Sequence, residues 1–358
     1  MSHQQPIETT IKSILDYWLG KNALDQKENC LHEILQASAD LPLSSLDTSE
    51  RQIRSAFGYL FFSQKIDEEV TPELAWLYLS HWDGYSRETA IRRLNVFAPN
   101  SVLLAILIRR LNDWVPQVQA AARQVLPSVV AASDPDDVVD ALFAILPNWS
   151  SWQRIEPDSR QIVLDLMGQP RWTKEYKTKL IAVESGGLSR VFAQLGRSPV
   201  LDVHLADISQ HSIQSAIRNK AYQSMLSSEM SWVEGRKWQW TDLKYCKGRE
   251  QPVVASRSLS FTYPLLETLN AAVADRSVMV RRLAAQSLIN RLDLLGRQDA
   301  FALAERLIRD AAPSVVERGE FVLKKLSANR IGIAKDKFEV VDSIDQSNEM
   351  ISQLFSNE

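Results

Sequence analysis

The chain of 358 residues is poor in cysteine, histidine and glycine, and each shortage excludes something. Two cysteines, Cys30 and Cys246, cannot frame a disulfide-stapled domain and lack the spacing of a zinc site, so a reducing compartment is expected. Of the five histidines, only His204 and His211 stand near one another, with Asp202 and Asp207 close by. Seven residues separate that pair, whereas helical metal pairs favour i and i+4, so no metal is expected. Twelve glycines and no strand-like alternation of any length predict a nearly all-α chain. No stretch approaches the ~20 apolar residues of a membrane span. The most apolar short run, Val102–Ile108, ends in Arg109-Arg110 and reads as a buried helix. Residues 1–6 show no basic region leading into an apolar run, so no secretory signal and a cytoplasmic location are expected. Nucleophile-elbow, Walker and dinucleotide signatures are all missing. No catalytic set, and no cofactor, is therefore expected.

What is present is a pattern that returns. Asp275 is followed by Val280-Arg281, Ala284-Ala285 and Leu288, at offsets +5, +6, +9, +10 and +13. The frame fits Asp113 with Val118, Ala122 and Leu126, and Asp310 with Val315, Gly319 and Leu323. It also fits His81 with Arg87, Ala90-Ile91 and Leu94. Weaker copies begin at Thr48 (Ile53-Arg54, Phe57-Gly58, Phe61) and Ser212 (Ile217-Arg218, Ala221, Met225). Positions +5, +9 and +13 share one face of a helix and form the stripe that enters a core. Small residues at +9 and +10 admit a close neighbour, and Asp at zero suits a capping role before the helix. Arg at +6 falls within reach of the Asp of an adjacent unit. Steps of about 32 to 35 residues between neighbouring starts match a helix–turn–helix unit. The wider gaps at 113–212 and 212–275 must hold degenerate units or insertions.

These residues resemble the HEAT repeat, most clearly at Asp275–Leu288, and the resemblance covers roughly residues 48–327. His81 and Ser212 depart from the leading Asp, and Gln119 and Val316 depart from the Arg. The resemblance implies an all-α, right-handed superhelix of antiparallel helix pairs, used most often to hold another macromolecule and not implying catalysis. The expected organisation is N-terminal capping helices over 1–47, repeats over 48–227, an insertion over 228–260, further repeats over 261–327 and an acidic tail over 328–358. Helices are predicted near 8–19, 25–38, 50–63 and 72–80, then through the dense middle to 187–195, then at 212–227 and from 262 to 327.

The insertion breaks the helical texture. It carries Trp232, Trp238, Trp240 and Tyr245, and Ser231–Trp240 fits a β-hairpin turning at Glu234-Gly235. The tryptophans serve either to anchor the insertion or to form a contact surface. Charge is unevenly spread: residues 211–330 carry 19 basic and 12 acidic side chains, against 6 and 12 over 1–80. Acidic residues interleave the basic half, which favours a solvated face over a dedicated nucleic-acid binder. In the doublets Arg92-Arg93, Arg109-Arg110 and Arg281-Arg282 one Arg reads as a repeat-internal pairing partner and its companion as solvent-facing, in preference to an anion-binding row.

Two functional classes follow. In the first, another protein lies against the second helices of the units and the insertion, with candidate contacts Gln117, Gln124, Asn219, Gln223, Arg282 and Gln286 together with Trp232, Trp238 and Trp240. No membrane partner is expected. The alternative is nucleic-acid binding, by resemblance to the HEAT-like alkylpurine DNA glycosylases, with Trp114, Trp149 and Trp152 as aromatics and Asp113 as the carboxylate. The HEAT-like bilin lyases have no distinguishing residue in this chain.

Overall fold

The structure is a computed structural model that describes residues 33, 35–57, 72–94 and 97–328. The expected capping helices before residue 33, the end of the Thr48 unit and the acidic tail beyond 328 lie outside the described residues. The described chain is mostly helical, with one small two-stranded sheet. It divides into two compact units, Met1–His204 with Met230–Ser260, and Leu205–Glu229 with Phe261–Glu358.

In the first unit the helices are α1 (Leu46–Phe57), α2 (Pro72–Tyr78), α3 (Gly84–Arg93), α4 (Ser101–Arg109), α5 (Pro116–Ala132), α6 (Pro135–Ile145), α7 (Pro157–Met167), α8 (Thr173–Ala182) and α9 (Leu188–Leu195). They pack in two rows: α1, α4, α6 and α8 follow one another, and so do α3, α5 and α7. The gap after the Asp113 unit is thus filled by two further helix pairs without the repeat signature, α6 with α7 and α8 with α9. The second unit repeats the scheme with α10 (Leu205–His211), α11 (Ser215–Ser227), α12 (Leu265–Val273), α13 (Val278–Asn290), α14 (Arg297–Leu307) and a last helix, α15, over residues 313–328. There α11 packs on α13, and α12 on α14. The helix expected over 212–227 begins only at Ser215, and the α10 segment before it was not foreseen.

The repeat stripe is the core. Val118, Ala122, Leu126, Val280, Ala284, Ala285 and Leu288 are all fully buried. Gly319 shows why the +9 position is small: a Cβ there would lie 2.9 Å from Leu307 Cβ and 3.0 Å from the Ile308 nitrogen. Leu323 is only half-buried; Val322 and Leu326 enter the core of α15 instead.

Between repeats runs a recurrent ion pair. Arg87 donates to both carboxylate oxygens of Asp113 (2.7 and 3.0 Å), Arg218 to Asp275 (2.8 and 3.0 Å), and Arg281 to Asp310 (2.5 and 3.0 Å). Each Asp also accepts a backbone N–H two residues on, from Val115, Ser277 or Ala312. This corrects the capping role expected of these residues. The N-cap positions of α5 and α13 are Val115 and Ser277, which make no side-chain cap, and the Asp shapes the turn before them. At the first departure from the pattern, His81 does the same work, its Nδ1 accepting from the Asp83 N–H at 3.0 Å. At the second, Gln119 replaces Arg and donates to the Asp113 and Arg154 carbonyls, because the following helix pair offers it a carbonyl where the others offer a carboxylate.

The insertion is a hairpin of β1 (Glu229–Asp242) and β2 (Lys247–Ser258). Its turn lies at residues 243–246, eight or more positions beyond the Glu234-Gly235 turn that was expected. Asp242 accepts from the Tyr245 N–H, and Cys246 takes the left-handed conformation with φ 49°. At Glu234 the chain continues as strand, and its carboxylate accepts from Trp232, Arg160 and Arg197.

Candidate functional site

The hairpin joins the first unit through a tightly built root. Arg197 lies between two indoles, 4.7 Å from the Trp149 centroid and 5.3 Å from that of Trp232. Its Nη1 pairs with Glu234 at 2.7 Å and its Nε donates to Gln194 Oε1 at 2.8 Å. Gln194 accepts from Trp149 Nε1 and donates to the Val233 carbonyl. Glu234 takes two further donors, Trp232 Nε1 and Arg160. Burial by itself would push the Glu234 carboxyl up, but the Trp232 hydrogen bond and the two guanidinium groups outweigh it and hold it below the usual range. Desolvation at the same root lowers the Arg197 guanidinium.

The second strand is fixed at its far end. Arg257 closes on the fully buried Asp202 with two bonds of 2.7 and 2.8 Å and donates to the Gly196 and Ser198 carbonyls. Asp202 also accepts from the Ser260 N–H and hydroxyl. Its carboxyl is pushed up by burial and, more strongly in sum, drawn down by Arg257 and Ser260. Met230 packs where a Cβ on Gly196 would collide with it.

Beyond this root the ribbon is open. Trp238 and Trp240 are 50% and 52% exposed and meet edge to face at 5.6 Å. Trp238 lies across Gly248, where any Cβ would meet the indole at 2.6 Å. Leu243, Tyr245 and Val254 are exposed as well, and the Lys244 and Lys247 ammonium groups lie 5.4 and 5.8 Å from the Tyr245 ring. The two roles weighed for the tryptophans are therefore divided between them: Trp232 anchors, while Trp238 and Trp240 face water.

The helical candidates stand apart from this surface. In the first unit, Gln117 and Gln124 are exposed on α5, and Gln124 accepts from Arg92 of α3 at 3.0 Å. In the second, Gln223, Arg282 and Gln286 are exposed, and Gln286 accepts from Arg318 at 3.1 Å. Asn219 is half-buried, and its Oδ1 has no hydrogen-bond partner among the described residues. The +11 positions of Gln124 and Gln286 thus serve a polar ladder between repeats.

The residues of the nucleic-acid alternative are also placed. Trp149 is buried in the hairpin root, whereas Trp114 is exposed and shares a pocket with Trp152. Asp113 lines that pocket but is buried, and it accepts from Arg87, Arg110 and the Val115 N–H. Burial opposes its ionisation, yet these donors leave its carboxyl below the usual range. Both of its carboxylate oxygens are thus engaged by donors of the protein itself. His211 pairs with Asp207 one helical turn away, and no group of three metal-ligating side chains occurs among the described residues. No described helix is long and apolar enough to cross a membrane.

Sequence reasoning missed Arg197, Gln194, Arg160 and the Arg257–Asp202 clasp. Nothing in their spacing marks them, since the partners that tie them to the hairpin lie 37 to 74 residues away.

Comparison with known proteins adds little to this geometry. No protein-family profile matches the chain, and no curated protein is similar to it. A solved structure described as an engineered protein aligns at 12% identity over 90% of this chain and 97% of its own, with a TM-score of 0.15, too low to inform the fold.

Proposed function

We propose that this protein is a HEAT-like α-solenoid acting as a non-catalytic scaffold in the cytoplasm, and that it holds another protein. Support for the repeat reading comes from the Arg–Asp link recurring at three copies of the sequence pattern and from like helices following one another within each unit. The exposed thiol of Cys246 suits a reducing compartment.

The observation that carries the binding reading is the contrast within the hairpin. A root held by partly buried ion pairs presents an outer half on which two large aromatic side chains are half-exposed. A rigidly mounted Trp pair loses little conformational freedom on contact, and Trp, Tyr and Arg dominate binding hot spots. The exposed polar positions on the second helices, Gln117, Gln223 and Arg282, would add an adaptable rim.

The test compares the native chain with a Trp238→Ala/Trp240→Ala variant as bait in nuclease-treated lysate. A stoichiometric protein captured by the first and lost with the second, at unchanged melting temperature, is the expected result. Identical recovery by both baits would remove the hairpin from the interface. In the glycosylase alternative the proposed carboxylate, Asp113, is the one paired with Arg87.

A further inference from the structure

A second feature of the first unit is independent of the hairpin. Between α1 and the loops after α4 and before α7 opens a cavity of about 470 Å³, a size suited to a small organic ligand. Arg51, Arg54, Arg109, Arg110 and Arg154 line it, against Asp47, Glu50 and Asp113. The surplus of positive charge can be located. Arg110 pairs with Glu50 and Asp113, Arg109 with Asp47 and Glu50, and Arg54 with Glu50. Among the described residues, Arg51 reaches only the Asp47 carbonyl and the Thr48 hydroxyl. The Arg154 guanidinium has no hydrogen bond or ion pair among the described residues. Two cations without a carboxylate therefore face one cavity.

Two indoles line the same cavity. Trp114 is 68% exposed, and Trp152 is half-buried. They come from loops 38 positions apart that are tied together: Asn112 Oδ1 accepts the Arg154 N–H at 3.0 Å, and Gln119 donates to the Asp113 and Arg154 carbonyls. The mounting is thus fixed independently of any occupant. The Arg87 guanidinium lies 5.9 Å from the Trp114 ring centroid.

We propose that this cavity binds a nucleoside phosphate, the phosphate paired with Arg51 and Arg154 and the base against Trp114 and Trp152. Guanidinium forks match phosphate oxygens, and indole faces accept any base. A simple anion would leave the indoles unused, and an uncharged aromatic ligand would leave the two cations uncompensated. The same chemistry is offered by a free nucleotide and by one residue of a nucleic-acid single strand.

The test is calorimetry of the full chain with AMP, adenosine, inorganic phosphate, a single-stranded oligodeoxyadenylate and a polyglutamate peptide. AMP is expected to bind at low salt, and adenosine and phosphate each at least about tenfold more weakly. Trp114→Ala and Arg154→Ala, both at exposed positions, should each weaken AMP by about tenfold or more with unchanged circular dichroism. Trp238→Ala/Trp240→Ala should leave AMP binding unmoved, which separates this site from the hairpin. Tighter binding of the oligonucleotide per site identifies a strand as the source of the nucleotide, and equal binding identifies the free nucleotide. Absence of AMP binding, phosphate binding as tight as AMP, polyglutamate binding as tight as AMP, or indifference to both single variants would each overturn the proposal.

Discussion

Arg87 grips Asp113 through two parallel hydrogen bonds although 26 residues separate them, and both side chains are almost wholly buried. The same fork joins Arg218 to Asp275 and Arg281 to Asp310. A buried pair of this kind contributes little over a well-packed apolar pair, but losing one member strands the other. Arg87 would keep only its bonds to the His81 and Trp82 carbonyls.

Asp113→Ala is accordingly expected to destabilise the protein by about 3–5 kcal/mol, and Arg87→Met with Asp113→Leu together by much less. Urea unfolding followed by circular dichroism measures both. Equal losses in the single and double variants would mean that the pair is not coupled in this way.

Acid should loosen the fold in two stages. Burial lowers the His81 imidazole, so the unfolded chain takes up that proton first, and the contribution of neutral His81 begins to fade as pH falls below about 6.5. The carboxyl of Asp310 is lowered chiefly by its bond from Arg281, and those of Asp113 and Asp202 by donors that overcome their burial. For each, the unfolded state binds more protons as pH falls below about 4, so stability is complete above that value and is lost as pH drops through the folded pKa. Melting temperature recorded from pH 8 to pH 2 should therefore fall monotonically on the acid side. Asp310→Asn should be less stable at neutral pH and should flatten the lower stage.

The division of labour in the hairpin predicts opposite outcomes for its aromatic and ionic residues. Replacing Trp238 and Trp240 by Ala should change unfolding free energy by no more than about 0.5 kcal/mol per site, as for other open surface positions. Asp202→Ala, which leaves Arg257 without its buried carboxylate, should cost about 3–5 kcal/mol. Thermal melting distinguishes the two. A cooperative loss of structure in the tryptophan variant would assign those indoles to anchoring.

Small residues at +9 and +10 predict intolerance of bulk. Ala284→Leu or Ala285→Leu should lower stability by about 1–3 kcal/mol through overpacking, since both positions are fully buried. Gly319→Ala should act in the same direction, because its Cβ would press on Leu307 and the Ile308 backbone. Unchanged melting of all three would place the repeat frame elsewhere.

How far such features could be read beforehand depends on how far their partners lie along the chain. The buried stripe at Val280, Ala284 and Leu288 and the reach of Arg281 toward the next Asp were legible, because helical periodicity and repeat spacing are short-range regularities. The polar ladder from Arg92 to Gln124 follows the same spacing, yet it was read as free surface, since nothing local distinguishes a paired Gln from an exposed one. The turn of the hairpin was misplaced because Glu234-Gly235 has turn-forming residues. Trp232, Arg197 and Arg160 hold that carboxylate in a continuing strand, and none of the three constrains it through local backbone preference.

The sequence by itself determined that the chain is mostly helical, where most of the helices lie, and which small and apolar residues enter the core. Those properties are set by backbone propensity and by the 3.6-residue period, which act over one or two turns. Only the tertiary structure decided which tryptophans are anchors, which arginines lack a carboxylate, and that Trp114 and Trp152 line one cavity. Each of those outcomes depends on desolvation and pairing with residues tens of positions away, and these forces act only once the chain has folded.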